Sequence, residues 1–166
     1  MANITLKNNS ITTSGELPQI GKSAMNFSLI GKDLRAVSLQ DFEGQRLILN
    51  IFPSIDTGIC AQSVRTFNEQ AAGLENTKVL CISRDLPFAQ NRFCGAEKIE
   101  NVITLSDFAN GSFGKDYGLT IIEGALANLH SRCIVVLNES HKIIHTEQVD
   151  EITSEPNYKT ALAVLG

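Results

Sequence analysis

The stretch that most restricts the fold of this chain is Leu47-Ile48-Leu49-Asn50-Ile51-Phe52, followed at once by Pro53. The run is short, branched and bounded by punctuating residues, which predicts a buried strand. Pro53 has no N–H to give a ladder, so the strand stops there. Thr57-Gly58 then opens a helix whose apolar positions continue through Val64, Phe67, Ala71 and Leu74. Cys60 therefore falls in the first turn of a helix at the exit of a central strand.

That position has chemical consequences. The free N–H groups and positive end of a helix favour an anion, and the thiolate is the nucleophilic form of cysteine. Thr57 lies three residues earlier, on the same helix face, and Pro53 is placed to wall off one side from water. A plainer reading stands beside this one: Thr57 as an ordinary N-cap and Cys60 as a small buried filler.

Strands recur along the chain. Val79 to Ser83 and Val102 to Leu105 read as two more buried strands, and Pro87 suits the first turn of a helix that carries Cys94. Arg132 to Leu137 and Lys142 to Thr146 flank Asn138 to His141 as a hairpin. Tyr158 to Leu165 closes the chain as a helix. At the start, Ile4 to Leu6 and Ile11 to Thr13 flank a turn at Lys7 to Ser10, a second hairpin within about residues 1–15. Thr120 to Leu129 shows no clear period. Alternating strands and helices predict an α/β fold, a mixed sheet with helices on both faces. In such sheets, sites gather beyond the carboxyl ends of the strands. With 166 residues and no repeat or linker, one domain over 1–166 is expected.

The totals narrow the function. A net charge of −4 without a basic cluster gives no electrostatic reason to bind nucleic acid. No basic segment leads into an apolar core at the N-terminus, and no apolar run approaches a membrane span, so the expectation is a soluble cytoplasmic protein. The four cysteines, at 60, 81, 94 and 133, are too sparse for a disulfide scaffold and have no zinc-ligand spacing. Cys60 to Arg65 has four intervening residues and no glycine cradle, which rules out a phosphatase-type phosphate loop. Cys81 and Cys133 sit in apolar strands and read as inert. His130, His141 and His145 are scattered and read as surface or hairpin residues. Phe52, Ile55, Phe88, Phe93 and Leu119 are the apolar residues expected to line a pocket.

The string Phe52-Pro53-Ser54-Ile55-Asp56-Thr57-Gly58-Ile59-Cys60, with its Pro-x-x-x-Thr-x-x-Cys spacing, resembles the active-site motif of the peroxiredoxins, in their thiol peroxidase branch. Ser83 to Gln90, Arg92 to Glu97 and Val149 to Tyr158 are similar to that branch as well. The resemblance covers most of the chain and implies a thioredoxin-like fold. It implies a thiol-specific peroxidase acting on hydrogen peroxide and organic hydroperoxides, in which Cys60 becomes a sulfenic acid. Position alone does not separate Cys94 from Cys81 as the partner thiol; the resemblance assigns Cys94, through an intrachain disulfide that a thioredoxin then reduces. It assigns an activating arginine to the start of a late strand, matched by Arg132; Arg65, five residues after Cys60 and on a nearby helix face, is a competitor expected to support the shell. It also implies a homodimer and no metal, haem or flavin. Arg84 and Cys133 depart from it, standing where smaller, less reactive residues are expected. The alternative is a redox-sensing protein that signals through the same cysteine pair.

Overall fold

The computed structural model describes residues 1–166. A short antiparallel hairpin, β1 (Asn3–Leu6) and β2 (Asn9–Thr12), precedes the main body. Its turn is shorter than the sequence predicts. Lys7 and Asn8 alone make it, both with positive φ, 51° and 66°, as a twisted two-residue connection requires. Asn9 and Ser10 belong to the strand. The hairpin docks through Ile4 and Ile11 onto Ile121 and Ile152.

The main sheet has seven strands in the order β4-β3-β7-β6-β5-β8-β9. These are β3 (Ser28–Ile30), β4 (Ala36–Ser38), β5 (Arg46–Ile51), β6 (Thr77–Ser83), β7 (Ile103–Ser106), β8 (Cys133–Leu137) and β9 (Ile143–Gln148). The three central strands β5, β6 and β7 run parallel. The rest join antiparallel, with a bulge between Val136 and Leu137 where β8 meets β9.

Alternation splits the core in two. Leu47, Leu49 and Ile51 of β5 face one side with Leu80, Ile82 and Val135. There α3 (Ser112–Asp116) supplies Phe113, and Phe42 ends a 3-10 turn over Leu39–Phe42. Ile48 and Phe52 face the other side with Val79, Cys81, Ile134 and Val136. Three helices cover that side. They are α1 (Gly58–Ala71) with Val64 and Phe67, α2 (Pro87–Glu97) with Phe93, and α4 (Tyr158–Ala163) with Ala161. The fold is thioredoxin-like: helices on both faces of a mixed sheet, plus the N-terminal hairpin.

His130 departs from the expectation of a surface or hairpin residue. It is fully buried, and its Nε2 lies 2.8 Å from Asp107 Oδ2. Asp107 also accepts the backbone N–H groups of Phe113 and Gly114. A burial of this kind needs a polar partner, and Asp107 supplies one from 23 residues away. Gly114 makes room for it, since a Cβ there would sit 2.9 Å from His130 Cδ2.

Candidate functional site

Strand β5 ends at Ile51, and the buried Pro53 turns the chain out of the sheet. Asp85, just beyond β6, holds the turn that follows. Its Oδ1 accepts from Ser54 Oγ at 2.7 Å, and its Oδ2 accepts from Ile55 N at 2.7 Å and Ser83 Oγ at 2.5 Å. Thr57 then caps α1. Its hydroxyl accepts from the N–H of Cys60 at 3.3 Å and donates to the carbonyl of Ser54 at 3.3 Å. The threonine is thus an N-cap whose bond is made to the Cys60 backbone.

Cys60 is fully buried in the first turn of α1. Arg132, one residue ahead of β8, is buried beside it, only 2% exposed. Its Nη2 donates to Cys60 Sγ at 3.3 Å, and its Nε donates to the carbonyl of Ile152 at 2.9 Å. Its Nη1 is buried without a protein partner. No carboxylate pairs with this guanidinium. A buried cation without a counter-charge is costly, so negative charge on the Cys60 sulfur and an oxygen acceptor at Nη1 would both offset that cost. The backbone of Arg132 is pinned as well, its carbonyl accepting from Val149 N at 3.0 Å and Gln148 Nε2 at 3.1 Å.

Arg65 is not at the sulfur. Its Nε and Nη2 donate to the two carboxyl oxygens of Glu97 on α2, at 3.0 and 2.9 Å, and its guanidinium lies over the Phe93 ring at 5.7 Å. The bond from Arg65 holds the Glu97 carboxyl below its usual range. The pair is therefore intact at neutral pH and is lost only as pH falls through that lowered value.

Cys94 is half-buried on α2 and unbonded, as are the other three cysteines. Burial raises its pKa, with a hydrogen bond from Thr104 and the charge of Lys32 acting the other way. It opens onto a groove of about 670 Å³ lined by Lys32, Val37, Asn91, Thr104 and Leu105. Cys81 and Cys133 are wholly buried, and burial pushes each up to about 12. The expected apolar pocket is only partly assembled. Phe52, Ile55 and Phe93 gather with Cys60, whereas Leu119 lies in the core across the sheet and Phe88 is 65% exposed. Leu119 follows α3 onto the opposite face, and Phe88 sits on the solvent side of the first turn of α2.

Two residues matter that the sequence reading gave no role. Asp85 has a signal in hindsight, being an acidic residue at the carboxyl end of a central strand, where sites collect. Ile152 contributes only its carbonyl, which no side-chain pattern announces. Arg84, one of the departures, bridges loops by donating to the carbonyls of Asp107, Phe108 and Asn128.

Known proteins carry the same architecture. The family model described as Redoxin matches residues 19–162. A thiol peroxidase of Mycobacterium bovis is 55% identical over 166 residues, covering 100% of this chain and 99% of that protein. The crystal structure of a peroxiredoxin-like protein from Aquifex aeolicus superposes with a TM-score of 0.92 at 34% identity, covering 99% of this chain and 96% of that one. A thiol peroxidase from Chromobacterium violaceum superposes with a TM-score of 0.91 at 18% identity, over 98% of this chain and 94% of that one, and shows the shared fold.

Proposed function

The chain belongs to the Redoxin family, in the thiol peroxidase branch of the peroxiredoxins, and from that we propose that Cys60 is its peroxidatic sulfur and Cys94 its resolving one. The enzyme is a peroxidase. The observation that carries the assignment of Cys60 is the Arg132 guanidinium, paired with no carboxylate, whose Nη2 lies 3.3 Å from Cys60 Sγ. Its Nη2 donates to the sulfur, and its unpartnered Nη1 offers a donor to a peroxide oxygen. Thr57 fixes the first turn of α1 through the Cys60 N–H, and the buried Pro53 is assigned the wall of the site.

The cycle balances in three steps. The Cys60 thiolate attacks the nearer oxygen of a hydroperoxide, the O–O bond breaks, and the leaving oxygen takes a proton to give water or an alcohol. Cys60 is left as a sulfenic acid. The Cys94 thiol then condenses with it, forming the S–S bond and releasing water. Finally a dithiol of the thioredoxin type reduces that disulfide by exchange and is itself oxidised. A thioredoxin-type reductant suits a reducing compartment, and the cytoplasm is the location proposed. The resemblance also makes the working unit a homodimer. Exposed Leu86, Phe88 and Phe108 offer an apolar face for it.

The test is turnover of hydrogen peroxide and of an alkyl hydroperoxide with thioredoxin, thioredoxin reductase and NADPH. Cys60→Ser should abolish peroxide consumption. Cys94→Ser should leave one rapid equivalent and no thioredoxin-linked turnover. Arg132→Ala should slow the first step about 10²–10³-fold, as loss of a preorganised charge-stabilising donor does. Full turnover by Cys60→Ser would overturn the assignment. Stoichiometric consumption without turnover in the unaltered chain would favour the sensor.

A further inference from the structure

A Cys60–Cys94 disulfide needs Cα atoms within about 7 Å and thiols that meet, while Cys60 is fully buried in α1 and Cys94 sits half-buried on α2. The two thiols are free here, and Cys94 opens instead onto the groove with Lys32 and Thr104. Helix α2 is poorly anchored by apolar contacts. Of its residues only Pro87 and Gln90 are fully buried. An 11-residue helix is marginal without packing, and segments with few buried contacts open first. Besides the half-buried Phe93, charge ties α2 to the Cys60 side. Arg92 Nη2 donates to Asp56 Oδ1 at 2.9 Å, reaching the turn just ahead of α1. Arg65 grips Glu97 from α1 itself. The two pairs flank Cys94, at positions 92 and 97.

We propose that the Asp56–Arg92 and Arg65–Glu97 ion pairs are latches that set how often α2 opens, and so how fast Cys94 captures the Cys60 sulfenic acid. Arg92 and Glu97 are positioning residues for the resolving step. This rests on the reading of Cys60 and Cys94 given above. The latches also decide a competition. A sulfenic acid that waits for Cys94 can meet a second hydroperoxide, which oxidises it to the sulfinic acid and leaves as water or alcohol. Tighter latches make the enzyme more easily inactivated by excess peroxide, and looser ones make it more resistant.

Arg92→Gln and Glu97→Gln test this in the full-length protein. The chain has no tryptophan, so acid-quenched samples are alkylated and read by mass spectrometry. Each substitution should leave the rate of peroxide consumption in the first turnover unchanged. Each should speed appearance of the Cys60–Cys94 disulfide about two- to fivefold, the range for partly exposed ion pairs, and lower the sulfinic fraction at excess peroxide. Arg92 uses one nitrogen in its contact, so Arg92→Lys should restore the slower rate. High salt should speed the unaltered chain and not the doubly substituted one. Amide exchange in α2 should rise in step with the resolving rate. Equal disulfide rates in all variants, at both salt levels, would overturn the latches alone. Absence of any Cys60–Cys94 disulfide in the unaltered chain would overturn the reading beneath them.

Discussion

Four thiols share one chain, and burial raises three of them. Cys81 and Cys133 are held at about 12 by desolvation, and Cys94 is raised for the same leading reason. A thiol whose folded pKa is raised stays protonated as pH climbs through the ordinary thiol range, and the thiol form is unreactive. Native alkylation with iodoacetamide at about pH 9 should therefore leave Cys81 and Cys133 untouched, with both labelled once urea unfolds the chain. Cys94 should label more slowly in the folded chain than in the unfolded one, with the gap closing as pH rises further. Peptide mapping checks this, and equal labelling of Cys81 in both states would contradict it. The burial of Cys81 was legible in Val79 to Ile82. Asp107 and His130 were not, because 23 residues separate them and only the fold brings them to 2.8 Å. Arg132 was legible by motif, but its orphaned Nη1 was not, since satisfaction of a donor depends on every neighbour.

The elements show a division of labour between local and distant control. The start of α1 is local: Pro53 ends a strand and Thr57 caps a helix, and both signals sit within eight residues of Cys60. Pro87 at the start of α2 is equally local. The N-terminal hairpin acts at a distance. Thr5 accepts from Ile152 N at 2.9 Å through its carbonyl, and its hydroxyl donates to Glu151 at 2.9 Å. Ile4 and Ile11 pack on Ile152, whose carbonyl holds Arg132 Nε. The hairpin thus braces the residue that orients the guanidinium. Ile4 is 2% exposed, so Ile4→Ala should cost about 2–4 kcal/mol in urea unfolding. At temperatures where it remains folded, it should also slow peroxide reduction while leaving thioredoxin-dependent reduction of the preformed disulfide unaffected. Loss of stability with no change in the peroxide step would remove the brace. The sequence showed the hairpin but misplaced its turn, because Lys-Asn-Asn-Ser offers several short turns and only packing of Ile4 and Ile11 selects the register.

At the scale of the molecule, the alternation of strands and helices was enough to place Cys60 beyond the carboxyl end of a parallel strand. The order of strands was not readable. β8 pairs with β5 across more than eighty residues of chain, and that insertion is what delivers Arg132 to the sulfur. Assembly is the remaining level. Leu86, Phe88 and Phe108 are 49%, 65% and 40% exposed, and Arg84 ties the Phe108 loop to the segment leading into α2. A net charge of −4 opposes self-association only weakly. If these residues form the proposed dimer face, the unaltered chain should sediment at twice its 18.1 kDa mass. Phe88→Asp should shift it toward the monomer, because a carboxylate in an apolar interface goes unpaired. The substitution lies on an exposed side chain, so thermal unfolding of the separated subunit should report an intact fold. The face borders the Asp85 turn that holds the Cys60 loop, so dissociation should lower peroxide turnover as well as mass. A chain already monomeric at micromolar concentration, or a Phe88→Asp variant that remains dimeric, would place the contact elsewhere.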